Sequence, residues 1–308
     1  MSKIITMRDA FLDELFESML TNDKIIIVTA DFGAPSLDKI REKFPSRVVN
    51  VGIAEQNAIN ISVGMALEGF IVYVYGIAPF ISMRCYEQIR VNIAILSQFR
   101  KMNINIISVG IGMSYSTSGP THHCLEDLSV IKTLPNIEIF SPSDYLMTKE
   151  YVKRSIEYNF PKYIRLDGEA VFCMNCNYNL EFGFRILNKQ KPNSNIALIT
   201  TSYISNKIYN NLDMFSEVLL IDLFFINKYN KEELSNKLKT VDTIITVEES
   251  FINSGGLDAE INFNFKDKKV INLGLNKQYC LEVGKREYLH KKTNIDLMSI
   301  KNIIEELK

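Results

Sequence analysis

The chain has 308 residues, a hydrophobic content of 46% and a formal net charge of −1. That length suffices for two ordinary domains with their own cores, and the charge balance excludes a basic surface built for nucleic acid. No apolar run reaches the ~18 residues that span a bilayer, charged residues from Arg8 onward interrupt any signal-peptide pattern, and five cysteines without small-domain spacing suggest reduced thiols in a cytoplasmic protein.

In chain order, a helix is expected from Thr6 to about Leu20, capped by Thr6 with Asp9 three residues on and buried through Phe11, Leu15, Phe16 and Met19. Short apolar strands follow at Ile25–Thr29, Arg47–Val51, Phe70–Tyr75, Ile104–Val109, Ile137–Phe140 and Tyr163–Leu166. Amphipathic helices separate several of them, the longest from about Ser82 to Phe99. This alternation predicts an α/β fold with a mostly parallel sheet, helices on both faces and a ligand site at the carboxyl ends of the strands. Asp31, Glu55 and the Gly110–His123 loop all follow strands and should converge there.

The first domain is expected over residues 1–172 and a linker over 173–194, in the Asn- and Lys-rich region from Asn175 to Asn195. A smaller α/β domain over 195–308 should carry strands at Ile196–Thr200, Val218–Ile221, Thr243–Val247 and Lys269–Asn272. Cys173-Met174-Asn175-Cys176 is a lone C-x-x-C without a second pair or nearby histidines, and is read as a loop with incidental thiols.

The most informative stretch is Val51-Gly52-Ile53-Ala54-Glu55-Gln56-Asn57. It sets one carboxylate where a strand turns into a helix, a position the helix dipole favours. The stretch resembles the pyrimidine-binding signature of the thiamine-dependent transketolases. Thr29-Ala30-Asp31, Phe80 followed by Arg84-Cys85-Tyr86-Glu87-Gln88-Ile89-Arg90, Gly119-Pro120-Thr121-His122-His123, Leu134-Pro135-Asn136 and Ser141-Pro142-Ser143-Asp144 continue the likeness in order. Val247-Glu248-Glu249 with Gly255-Gly256 looks like the V-E-E…G-G pattern of the family's C-terminal domain. The resemblance covers nearly the whole chain and implies a pyrimidine-binding domain followed by that smaller domain.

In that family the glutamate hydrogen-bonds N1′ of thiamine diphosphate and favours the tautomer whose 4′ nitrogen removes the thiazolium proton. The resemblance assigns this role to Glu55. It also implies that Phe80 stacks on the aminopyrimidine and that Asp31 lies near the cofactor. A second family aromatic, three positions before Phe80, is Ile77 here. For the substrate, His122 becomes the acid–base or hydrogen-bonding group, Arg165 a phosphate- or hydroxyl-binding fork, and Ser36 a phosphate contact. Arg84 either reaches substrate or pairs with an acid, and His123 has no assigned role.

The family's diphosphate and Mg2+ or Ca2+ are held by a G-D-G…N motif on an N-terminal domain, and this sequence contains no Gly-Asp-Gly. The chain is therefore expected to be the C-terminal subunit of a split transketolase. It would self-associate through both its domains and join a partner that carries G-D-G…N in an α2β2 heterotetramer. Met1 just before the first helix favours a natural start over a fragment. The expected reaction is transfer of a two-carbon ketol unit between sugars. The β subunit of a 2-oxo-acid dehydrogenase, a 1-deoxyxylulose-5-phosphate-synthase-like half and a noncatalytic assembly protein of the same fold are the alternatives. Two departures bear on substrate: Gly110 stands where many transketolases have a phosphate-binding histidine, and Ser118 where they have an aspartate that touches a sugar hydroxyl. They point to a substrate that lacks a phosphate, carries a nucleotide or differs in stereochemistry.

Overall fold

The structure, a computed structural model, describes residues 4–188 and 195–308. The start at Met1 and the last part of the expected linker fall outside the described residues.

Strand β1 (Ile4–Thr6) leads directly into α1 (Met7–Thr21). Thr6 Oγ1 accepts the Asp9 amide at 3.0 Å and donates to Asp9 Oδ2 at 2.6 Å, which satisfies one of the free donors of the first helical turn. Strand β2 (Ile25–Thr29), with five buried residues, is followed by α2 (Pro35–Lys43), β3 (Val48–Asn50), α3 (Glu55–Leu67) and β4 (Ile71–Ile77).

The helix expected over 82–99 is irregular. Phe80–Arg84 and Ile89–Ile95 are π-helical, Tyr86–Gln88 forms one α-turn (α4), and Leu96–Gln98 is 3-10. π-Helical turns re-aim side chains and cluster at functional sites, and this one carries Phe80 and Arg84. Next come β5 (Asn103–Val109), α5 (Asp127–Ile131), β6 (Glu138–Phe140), α6 (Tyr145–Glu157), β7 (Lys162–Leu166) and β8 (Ala170–Phe172). The six-stranded sheet has the order β3-β2-β4-β5-β7-β6 and is parallel throughout. Strand β8, missed in the sequence, pairs antiparallel with β1.

The second unit holds β9 (Phe184–Ile186), β10 (Ile196–Thr200), α7 (Ser202–Tyr209), β11 (Leu219–Leu223), α8 (Lys231–Lys237), β12 (Thr243–Phe251), α9 (Leu257–Asn264), β13 (Lys269–Leu275), α10 (Arg286–Lys292) and α11 (Leu297–Glu306). Its sheet runs β13-β12-β10-β11-β9, parallel except for β9. Residues 184–186 lie in the stretch expected to be linker, yet they form the edge of this sheet because Phe184 is buried and pairs with Leu223. The V-E-E…G-G pattern also has a physical basis. The buried Glu248 carboxylate accepts the Leu257 and Asp258 amides at 3.1 Å each, closing the start of α9. Gly256 leaves room for it, since a Cβ there would lie 2.5 Å from Glu248 Oε2.

The two units are joined by backbone and by buried charge. Ser141 N donates to Phe224 O and Ile226 N to Ile139 O, so β6 is extended by the segment after β11. Arg185 bridges Asp144 and Asp222, and Arg286 bridges Asp167 and Glu249, all of these side chains being buried. Charges this deep persist only when paired.

Candidate active site

The turns that follow β2, β3, β4 and β5 lie along one edge of the parallel sheet, as expected for an open α/β sheet. Asn50, at the end of β3, ties the first two together. Its Oδ1 accepts the amides of Asp31 and Gly52 at 3.0 Å, and its Nδ2 donates to Asp31 Oδ1 at 3.1 Å. Asp31 and Gly52 both have positive φ, 57° and 76°, a region in which Asp and Gly are among the better-tolerated residues. Asn50 was not singled out from sequence, although its place just before the motif was visible.

Beyond that turn, Glu55 opens α3 and is only 2% exposed. Arg84 Nη1 donates to Glu55 Oε1 at 2.7 Å and leaves Oε2 outside this bond. The Arg84 guanidinium also lies 4.5 Å from the centre of the Phe80 ring, a cation–π distance. Of the alternatives left open for Arg84, pairing with an acid is what the geometry presents. Phe80 is half-buried and meets the His122 ring edge-on at 5.5 Å between centroids. His122 Nδ1 and Thr121 Oγ1 share a 3.0 Å hydrogen bond. Glu55, Arg84, Phe80 and His122 thus form one continuous run, and all but Glu55 remain partly or largely open to solvent. Next to them Ile53 is 80% exposed.

Asp31 stands exposed at the rim. Ser36 is buried and helps hold Asp9. Against the upward push of burial, hydrogen bonds from Arg8, Thr6 and Ser36 keep the Asp9 carboxyl below its usual range. Arg8 itself grips Asp9 through Nε and Nη2, both at 3.0 Å.

Arg165 is not an open fork. It is 4% exposed and bidentate to Asp127, at 2.7 and 3.0 Å, while Nη1 donates to Ser141 Oγ at 2.9 Å. Asp127 also accepts from Tyr163 at 3.1 Å. Gripping a substrate would require this buried ion pair to open, so the geometry presents Arg165 as tied to Asp127 and Ser141. Its partner lies 38 positions away in sequence, which no local pattern reveals.

His123 is buried beside this run, and burial holds its imidazole below the ordinary value and therefore neutral. Cys173 and Cys176 are free, partly buried thiols. Tyr115 is a further residue of the site that sequence reasoning missed, the one Phe, Tyr or Trp of the Gly110–His123 loop. Its ring meets His122 perpendicularly, 6.4 Å between centroids.

A buried acid at a helix start, an aromatic beside it and a histidine loop thus gather at one sheet edge of a parallel α/β domain that is joined to a second α/β unit. Residues 3–171 match the family described as "Transketolase, pyrimidine binding domain". The chain is 31% identical over 263 residues to one subunit of the apulose-4-phosphate transketolase of Phocaeicola vulgatus, covering 84% of this chain and 83% of that one. It is 30% identical to 1-deoxy-D-xylulose-5-phosphate synthase of Caldanaerobacter subterraneus over 96% of this chain but only 48% of that protein. A solved structure described as "Split gene transketolase, inactive beta4 tetramer" superposes with a TM-score of 0.81 at 24% identity, covering 98% of this chain and 97% of that chain. The chain belongs to the transketolase family, and membership implies dependence on thiamine diphosphate.

Proposed function

We propose that the chain is the C-terminal subunit of a split, thiamine-diphosphate-dependent transketolase that moves a two-carbon ketol unit between sugars. The observation that carries this reading is Glu55, covered by protein yet bound through one oxygen only, on a face that Phe80, Arg84 and His122 leave open. Such a half-built site is what a facing subunit would complete. The similar protein of Phocaeicola vulgatus is itself named as one subunit of a transketolase, which supports the same division of labour.

When bound, thiamine diphosphate supplies the nucleophilic carbon for carbon–carbon cleavage. Glu55 is the group that would hold a proton at the cofactor's N1′, using the oxygen Arg84 does not take. Phe80 offers the apolar face on which an aminopyrimidine stacks. His122, with Nδ1 engaged by Thr121, has Nε2 left to donate to a substrate oxygen as charge develops. Asp31 fixes the turn at the rim. The diphosphate and its Mg2+ or Ca2+ are assigned to a partner subunit carrying G-D-G…N.

Co-expression with such a partner tests the reading. A stable heterotetramer with cofactor-dependent ketol transfer is expected, and robust turnover by the purified chain alone would sink the division into subunits. The likeness to 1-deoxy-D-xylulose-5-phosphate synthase favours a second reading, and pyruvate-dependent turnover in the same assay would establish it instead.

A further inference from the structure

We propose that Tyr115 is a specificity-determining residue of this site, selecting a substrate whose far end is an uncharged, hydroxyl-bearing chain rather than a phosphate. The inference rests on the reading above and adds the substrate class to it.

Three observations carry it. The first is volume. Gly110, at the end of β5, has φ +84°, and a Cβ built on it would overlap the Tyr115 ring, with Cδ2 at 2.5 Å. A Cβ on Gly168, past the end of β7, would meet Ser114 Oγ at 3.0 Å and Tyr115 Cε1 at 3.5 Å. The ring therefore lies over two glycines at neighbouring strand ends, and any side chain at 110 would have to displace it. The wall beside His122 is a phenol.

The second is charge. A terminal phosphate is held by uncommitted cationic donors, ideally a guanidinium fork. The arginines along this edge are already matched by carboxylates: Arg8 by Asp9, Arg41 by Asp38, Arg84 by Glu55, Arg165 by Asp127 and Arg286 by Asp167. A dianion would have to compete with an existing partner at each of them.

The third is the phenol itself. The Tyr115 hydroxyl makes no hydrogen bond to the described residues, and the side chain is only partly buried. Burial, the largest influence, raises its pKa, so it stays a neutral group able both to donate and to accept. That is the complement of a sugar hydroxyl. It is reached from His122 across a 6.4 Å ring contact.

The test uses the complex of this chain with its cofactor-binding partner, and as donors D-fructose, D-xylulose and the terminal phosphate monoester of each. Wild type should prefer the free ketoses. Tyr115→Phe keeps the ring and loses the hydroxyl, so KM for free ketoses should rise about fivefold, the loss of roughly one hydrogen bond, with kcat nearly unchanged. Tyr115→Ala removes the ring and should shift the kcat/KM ratio toward the phosphate monoesters by roughly tenfold or more. Thiamine diphosphate affinity and thermal unfolding of the Phe variant should match wild type, which separates a substrate contact from a structural one. A wild-type preference for the phosphate monoesters, or unchanged KM values in both variants, overturns this inference while leaving ketol transfer intact. Absence of ketol transfer from every sugar would instead overturn the proposed function, and this inference with it.

Discussion

Arg84 donates a 2.7 Å hydrogen bond to Glu55, joining a side chain 45% exposed to one only 3% exposed. The pair sits where an irregular helix meets the start of α3, and it engages one of the two oxygens of the buried carboxylate. In the proposed function the second oxygen, outside the Arg84 bond, is the one left for a cofactor nitrogen.

Glu55→Gln should fold normally, because the amide oxygen can still accept from Arg84. It cannot hold a proton at N1′, so ketol transfer by the assembled enzyme should fall by about 10²–10⁴-fold, the usual worth of a general acid–base group. Steady-state turnover at saturating cofactor, with circular dichroism of the variant, checks this. Near-normal turnover would remove Glu55 from the mechanism.

His122→Ala should lower kcat/KM for sugars by roughly 10²-fold or more. Thiamine diphosphate affinity should hardly change, because His122 touches Phe80 while Arg84 bonds Glu55, so the Glu55–Arg84 pair stays intact without the imidazole. Calorimetric titration of cofactor beside initial-rate kinetics distinguishes the two effects. A large loss of cofactor binding would argue against placing His122 on the substrate side.

Arg165→Met should act on stability before activity. It leaves Asp127 without its bidentate partner in a buried setting, a change that typically costs about 3–5 kcal/mol. Denaturant unfolding of the isolated chain measures it. A variant as stable as wild type, with KM raised only for phosphorylated sugars, would return Arg165 to the substrate.

Lys162 predicts a pH dependence. Burial is the main influence that lowers its pKa from 10.5 to about 7, and its ammonium group donates to Asn103 Oδ1 and to the Tyr158 and Phe160 carbonyls at 3.0, 2.5 and 2.8 Å. Between about 7 and 10.5 the unfolded chain binds this proton and the folded chain does not. The contribution of Lys162 is therefore greatest above 10.5, falls as pH falls toward 7, and is flat below that. Lys162→Met, whatever its own stability, should lack this slope. Unfolding free energies of both proteins across the interval provide the comparison, and parallel curves would show that the lysine titrates normally.

The sequence by itself determined the alternating architecture, because buried parallel strands such as Ile25–Thr29 and Ile196–Thr200 are written as apolar runs bounded by turns. It also determined the place of Glu55, since a strand–Gly–helix junction is local and its motif contiguous. Short edge strands such as Ala170–Phe172 and Phe184–Ile186 were illegible, being too short to show a pattern and defined by their partners. Only the tertiary structure decided which cations are spoken for. Arg165 and a free substrate fork look alike in sequence, and the difference is Asp127, brought to it by the packing of α5 against the end of β7. The same holds for Tyr115, whose position over Gly110 depends on a left-handed backbone and a missing Cβ rather than on any spacing of residue types. Pairing and volume are properties of neighbours in space, and the chain order does not state who those neighbours are.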